Sequence, residues 1–284
     1  MNVKEILNKL ILNLKELDNV LTFRILEIGA LNLGKKEKFY DLLNYFPNSE
    51  IIGFEVDKNI CKKMNSVSKV GVKYFPFAIG KKKEIRKFYE TNHPMCSSLY
   101  KPNHNLLSLY NNMEISFLKE ESEIETIDLD TFVSENKIGN VDFLKIDVQG
   151  AELDIFKGAT KTLKNSLFII SEVEFLKIYE NQPLFGDVSN FLSDNDFMFH
   201  KFLGMGGRSL KPLILNNNKN FPSQHLWSDA IFIKNVLMIK KLTSREILKL
   251  SVISILYECF DLGFFCLNIH DELFKTNYTK IFMK

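Results

Sequence analysis

The feature that most constrains this chain is an alternation. Continuously apolar, β-branched runs take turns with segments of helical spacing. The runs are FRILEIGA from Phe23, EIIGFEVD from Glu50, KVGVKYFPFAIG from Lys69, VDFLKIDVQG from Val141 and LFIISEVEF from Leu167. Between and after them, KEKFYDLLNYF, KNICKKMNSV, DLDTFVSEN, AELDIFKGATKTL and DVSNFLSDN read as helices. A strand that is apolar on both faces has to be covered on both faces. Parallel neighbours also need long crossovers, which helices supply. The pattern therefore predicts an α/β domain with a mostly parallel sheet between two helical layers. EIRKFYE reads as a shorter β segment, and FMFHKF and SDAIFIKN as two late strands.

Flanking segments extend this domain, taken as residues 21–236. Val3, Ile6, Leu7, Leu10, Ile11, Leu14 and Leu17 recur at helical spacing, so residues 1–20 form an amphipathic helix and not a cleavable leader. Residues 237–284 carry no strand signal and read as a helical extension. Its longest apolar stretch, Ser251 to Ile269, contains Glu258 and Asp261, which a bilayer core would penalise. The expectation is burial against the domain or a second copy of the chain, giving a homo-oligomer, with no transmembrane segment. Net charge is only +2. The one basic cluster, Lys81-Lys82-Lys83 with Arg86 and Lys87, reads as a solvated turn, so no nucleic-acid partner is expected. Cys61, Cys96, Cys259 and Cys266 are scattered and read as reduced thiols, pointing to a cytoplasmic protein.

Ligands of an open parallel sheet bind outside the carboxyl ends of its strands. The first run ends Glu27-Ile28-Gly29-Ala30, with Gly34 further on, and the second ends Phe54-Glu55-Val56-Asp57. A glycine lets backbone turn tightly against a ligand, and an acid at the second strand end can accept bonds from both ribose hydroxyls. Together they predict an adenosine-containing cofactor; the competing reading of Glu55 is a cap on the next helix. A dinucleotide needs closely spaced glycines beneath its pyrophosphate. Here bulky Leu31 and Leu33 follow the first glycine and the acid Glu27 precedes it. Glu27 repels a pyrophosphate but pairs with the amino group of a methionine moiety, which favours S-adenosyl-L-methionine. The alternatives are a nicotinamide-dependent oxidoreductase and a non-catalytic domain that kept the fold.

The fourth run gives LKIDVQGAELDIFKGA. Asp147 ends the strand, and Glu152 opens a helix, where the dipole alone would favour an acid. Glu172 and Glu174 end the fifth run on one face. Asp147 and Glu172 are the candidate bases, with His225 the best placed of the histidines; His93 and His104 read as solvated. Gln149, Glu152, Glu174 and the loop residues Ser97 and Ser98 are candidate contacts to an acceptor. The loop from Thr91 to Leu106 is expected to be mobile. No metal need be invoked, though a divalent ion could bridge Asp147 and Glu172.

LEIGA, IIGFEVD, FAIG with FYET, ETIDLDTF, VDFLKIDVQGAELDIFKGA and SEVEF together resemble the FkbM methyltransferases, from about Phe23 to Lys234. The resemblance implies a class I, Rossmann-like methyltransferase fold with a mostly parallel seven-stranded sheet. It implies O-methylation of a small-molecule or glycan acceptor, such as a sugar or natural product. It also implies that Glu27, Gly29, Ala30, Glu55 and Val56 bind the cofactor, with Phe77 and Ala78 near its adenine. Two departures stand out: the spacing from Gly29 to Gly34 is longer than usual, and Gln149 replaces a more usual glutamate.

Overall fold

The computed structural model describes residues 2–14, 21–30, 37–218 and 224–283. Leu17, the Leu31–Gly34 turn and the end of the NNNKN loop therefore lie outside the described residues. The chain opens with α1 (Val3–Asn13), whose N–H groups at Lys4 and Glu5 are capped by the Asn2 side chain. Then come β1 (Arg24–Ile28), α2 (Leu42–Tyr45), β2 (Glu50–Phe54), α3 (Lys58–Val67) and β3 (Val72–Phe75). An excursion follows through β4 (Ala78–Gly80), β5 (Glu84–Thr91), α4 (His104–Leu107), β6 (Leu118–Asp128) and α5 (Leu129–Glu135). The chain returns with β7 (Phe143–Ile146), α6 (Glu152–Lys157), α7 (Thr160–Asn165), β8 (Phe168–Glu174) and α8 (Phe185–Asp194). It finishes with β9 (Phe197–Phe202), β10 (Gly206–Gly207), β11 (His225–Lys234), α9 (Ser244–Leu256) and α10 (Phe260–Phe274).

The central sheet runs β10-β11-β8-β7-β1-β2-β3, with β9 also paired to β11. Strands β3, β2, β1, β7 and β8 are parallel, and β11 is antiparallel to β8. This is the mostly parallel α/β architecture expected, with the two-residue β10 making an eighth strand beyond the seven anticipated. From β1 the chain builds outward to β3, then crosses back to place β7 on the other side of β1. That reversal puts the ligand crevice outside the carboxyl ends of β1 and β7.

Alternation along each strand separates two cores. Ile25, Ile51, Phe143, Ile170 and Ile231 face a cluster with α1, α9 and α10. Leu26, Ile52, Leu144, Ile169 and Phe232 face the opposite cluster, which includes residues of α5 to α8. Helix α9 is buried on nearly every side from Ile247 to Leu256, with Lys249 paired to Asp142. Its N-terminus is closed by a capping box, with Thr243 and Glu246 bonding reciprocally. The apolar stretch around residues 251–269 thus divides between two packed helices, with a break at Glu258 in the left-handed region. Gly263 permits their contact, since a Cβ there would come 2.7 Å from Ile255. Among the described residues no helix is long and apolar enough to cross a membrane.

Several local expectations need correction. The third run is two strands: Pro76 follows β3, and β4 departs to a second sheet ordered β4-β6-β5. β6 was not anticipated, because LKEESEIETID is acidic and mostly exposed and shows no apolar alternation. The helix read over residues 36–46 begins as a 3-10 turn at Lys38–Asp41. The helix read over 151–163 is broken in two at Gly158, where a Cβ would lie 2.6 Å from the Gly80 carbonyl oxygen. The second piece, α7, is started by Asp130, which accepts from Lys161 N and Thr162 N at 2.8 and 2.7 Å. Within the Thr91–Leu106 loop, Ser98 pairs with Tyr89, and its hydroxyl donates to the Gln149 carbonyl at 2.6 Å.

Candidate active site

Residues at the ends of β1, β2 and β7 line one cavity of about 980 Å³. Its floor continues the apolar row of the sheet. On β1 the row Ile25 ends in Glu27, and on the adjacent β7 the row Phe143 ends in Lys145, paired in register with Glu27. Charged side chains thus appear at the point where the core stops and the cavity begins. Gly29 follows at φ +82°, and a Cβ there would stand 1.9 Å from the Asp147 carbonyl oxygen. The turn after β1 therefore runs directly against the turn after β7.

Glu27 is almost enclosed and accepts from the Tyr40 hydroxyl at 2.6 Å; that hydroxyl lies 2.8 Å from the Tyr74 hydroxyl. Burial pushes the Glu27 carboxyl up to about 7, although the Tyr40 hydrogen bond pulls it down. A carboxyl whose folded pKa is raised stabilises the fold below its unfolded pKa and loses that contribution as pH climbs toward 7. The ligand-free protein is therefore expected to lose stability on that climb. A bound ammonium group requires the ionised form, so affinity for S-adenosylmethionine is expected to tighten between about pH 6 and about pH 8, by up to about tenfold per unit below the pKa. Calorimetry across this range checks it, with Glu27→Gln expected to flatten the dependence.

Glu55 is buried at the end of β2 and lines the cavity. Its Oε1 accepts from Asp57 N at 2.9 Å, and burial raises its pKa. The capping of α3 belongs to Asp57, which accepts from Asn59 N and Ile60 N at 2.8 Å each. The helix is thus capped by Asp57 and not by Glu55. Val56, Phe77 and Ala78 also line it, Phe77 resting edge-on against Phe132. Ala30 is placed differently: it is buried in a small cluster with Cys61 and Tyr74, behind the lining.

On the other side, Asp147 and Gln149 line the cavity together with Ser97 and Ser98. Lys145 Nζ lies 2.8 Å from Asp229 Oδ1 and 3.5 Å from Asp147 Oδ2. Burial alone would raise the Asp147 pKa, but Lys145 and the Gln149 hydrogen bond hold it below the usual carboxylate range. The amide of Gln149 donates to Asp147 Oδ1 at 3.0 Å and also to Glu172 Oε2. A glutamate at this position would have no N–H to offer either acid. Glu152, Glu172, Glu174 and His225 are not lining residues. Glu172 touches the site through Gln149, whereas His225 is exposed at the start of β11 opposite Gly207. Glu152 closes the tight turn before α6, accepting from Val148 N at 3.0 Å and Gly150 N at 3.2 Å. Burial and mutual repulsion push Glu172 and Glu174 well above the usual carboxylate range, and burial lifts Glu152 to about 7.

Tyr40, Tyr74, Lys145 and Asp229 were not singled out in the sequence. Lys145 was legible in part, as a lone lysine inside a buried strand, which must find an anionic partner.

The FkbM methyltransferase domain matches residues 27–199, and the chain belongs to this methyltransferase family. Over 59 residues it is 39% identical to the 2-O-methyltransferase NoeI of Sinorhizobium fredii (strain NBRC 101917 / NGR234). That match covers 21% of this chain and 24% of the relative, about a quarter of its length. Among solved structures, a SAM-dependent methyltransferase from Aquifex aeolicus superposes with a TM-score of 0.30 at 10% identity, over 82% of this chain and 99% of that one. LepI in complex with SAM superposes at 0.34 and 7% identity, over 78% and 46%. These overlaps are too distant to bear on function. Membership of the family brings S-adenosylmethionine as methyl donor. The site suits it: two acids at the ends of β1 and β2 flank a glycine with no room for a Cβ.

Proposed function

We propose that this chain transfers a methyl group from S-adenosylmethionine to a hydroxyl of a small-molecule or glycan acceptor. The observation that carries the reading is Asp147, a carboxylate held ionised by Lys145 in the same cavity as Glu27 and Glu55. The 2-O-methyltransferase NoeI, to which a stretch of 59 residues is similar, points the same way. S-adenosylmethionine supplies a methyl already activated by its sulfonium, so the protein's part is alignment and removal of the hydroxyl proton. Glu27 would hold the amino group and Glu55 the ribose hydroxyls. Asp147 would accept the hydrogen bond of the acceptor hydroxyl and offset positive charge growing on its oxygen. Lys145 keeps Asp147 unprotonated, and Gln149 fixes its rotamer.

Removing the Glu55 carboxylate in Glu55→Ala is expected to weaken S-adenosylmethionine binding by about 1.5–3 kcal/mol without unfolding the chain. An unchanged dissociation constant would remove the ribose assignment. The reaction itself is tested by incubating the chain with methyl-labelled S-adenosylmethionine and panels of sugars, amines and thiols. Label appearing as an alkali-stable methyl ether supports the proposal. Label confined to nitrogen or sulfur overturns it. So does binding of NADH in preference to S-adenosylmethionine, or cofactor binding with no transfer to any acceptor.

A further inference from the structure

Beside the cavity, the first residue of α6 and the end of β8 bring three carboxylates together. Glu152, Glu172 and Glu174 each present an oxygen, and the three lie within 4.8 Å of one another. Glu152 and Glu174 are each only 2% exposed. Two of the three acids are anchored. Glu152 Oε1 accepts two backbone N–H groups, and Glu172 Oε2 accepts from Gln149. Glu174 is different: its Oε1 is sealed from solvent and has no hydrogen-bond partner. A buried carboxylate oxygen left unpaired is among the more destabilising features a fold can carry, and this one sits beside two further acids and near Asp147. The neighbouring cation, Lys145, is already committed to Asp147 and Asp229.

We propose that Glu152, Glu172 and Glu174 form a divalent-cation site of the magnesium or manganese class. The donor set is all carboxylate oxygen with no imidazole or thiolate, which selects a hard ion. Three ligands in an enclosed space are few for calcium, which takes six to eight oxygens, whereas magnesium and manganese complete a small shell with water. A bound ion would neutralise the cluster, supply the partner that Glu174 Oε1 lacks, and tie β8 to the start of α6. Its position is one side chain away from the cavity, since Gln149 bonds both Glu172 and Asp147. Through Gln149 the site bears on the position of Asp147. It stands apart from the proposed methyl transfer and is read without any acceptor.

The full chain, stripped with EDTA, is titrated with Mn²⁺ while free Mn²⁺ is followed by electron paramagnetic resonance. Thermal unfolding is recorded in parallel. The expected result is a single Mn²⁺ per chain, displaced by Mg²⁺, with a rise in Tm on binding. Glu174→Gln is expected to weaken Mn²⁺ binding by at least about tenfold and to remove the rise in Tm. Glu172→Gln serves as the second variant if the first does not fold. No bound Mn²⁺ at millimolar concentration overturns the proposal, as does equal binding by the parent and whichever variant folds. So does a parent whose Tm climbs on acidification and ignores Mn²⁺ and Mg²⁺, because protons would then be what neutralises the three acids.

Discussion

Asp147→Asn is expected to lower the rate of methyl transfer by about 10²–10⁴-fold while S-adenosylmethionine affinity stays within a few-fold. The two halves of this expectation come from different strands. The cofactor contacts are assigned to Glu27 and Glu55 at the ends of β1 and β2, whereas Asp147 follows β7. Asparagine keeps the shape and can still bond Gln149 through its carbonyl. It cannot carry the charge that Lys145 stabilises, nor offset charge developing on the acceptor oxygen. Lys145 retains Asp229 at 2.8 Å, so the variant does not strand a buried cation. Single-turnover rates against calorimetric cofactor binding separate the effects. Glu172→Gln is the comparison. Parent-rate transfer by Asp147→Asn with normal cofactor binding would refute the assignment to Asp147, and because neither Glu172 nor His225 lines the cavity the structure offers no ready substitute in either.

Gly29→Ala is expected to destabilise the chain by about 4 kcal/mol or more and to abolish cofactor binding. Two effects act at one atom. The φ of +82° strains any residue bearing a Cβ, and that Cβ would meet the Asp147 carbonyl oxygen at 1.9 Å. The obstacle is backbone, so no side chain can swing aside, and relief requires β1 and β7 to separate where the cavity forms. Gly186→Ala in α8 is the control, since nothing lies within 4 Å of its added Cβ and its helix favours alanine. A denaturation midpoint for Gly29→Ala close to that of the control would contradict the close approach.

What the sequence determined by itself lies within short spans of chain. The order of the main strands and helices followed from continuous apolar runs and helical spacing, and the positions of Glu27, Gly29, Glu55 and Asp147 followed from strand ends. In a parallel sheet those ends face one crevice whatever the loops do. The tertiary structure decided the rest, because the deciding contacts join residues far apart. Lys145 finds Asp229 84 residues on, and Tyr40 reaches Glu27 from a segment whose own spacing reads as plain helix. Ala30 sits next to Gly29, yet packing against Cys61 and Tyr74 turns it away from the cavity. β6 is a strand because β5 and β4 offer it backbone ladders on both edges, since its acidic side chains carry no burial signal. Sequence also placed Glu172 and Glu174 on one face of the fifth run and Glu152 at a helix start, with nothing to join the three. Only the packing of α6 on β8 brings their oxygens within 4.8 Å and leaves Glu174 with an unpaired one, because desolvation and charge repulsion belong to the assembled interior and not to any local stretch of chain.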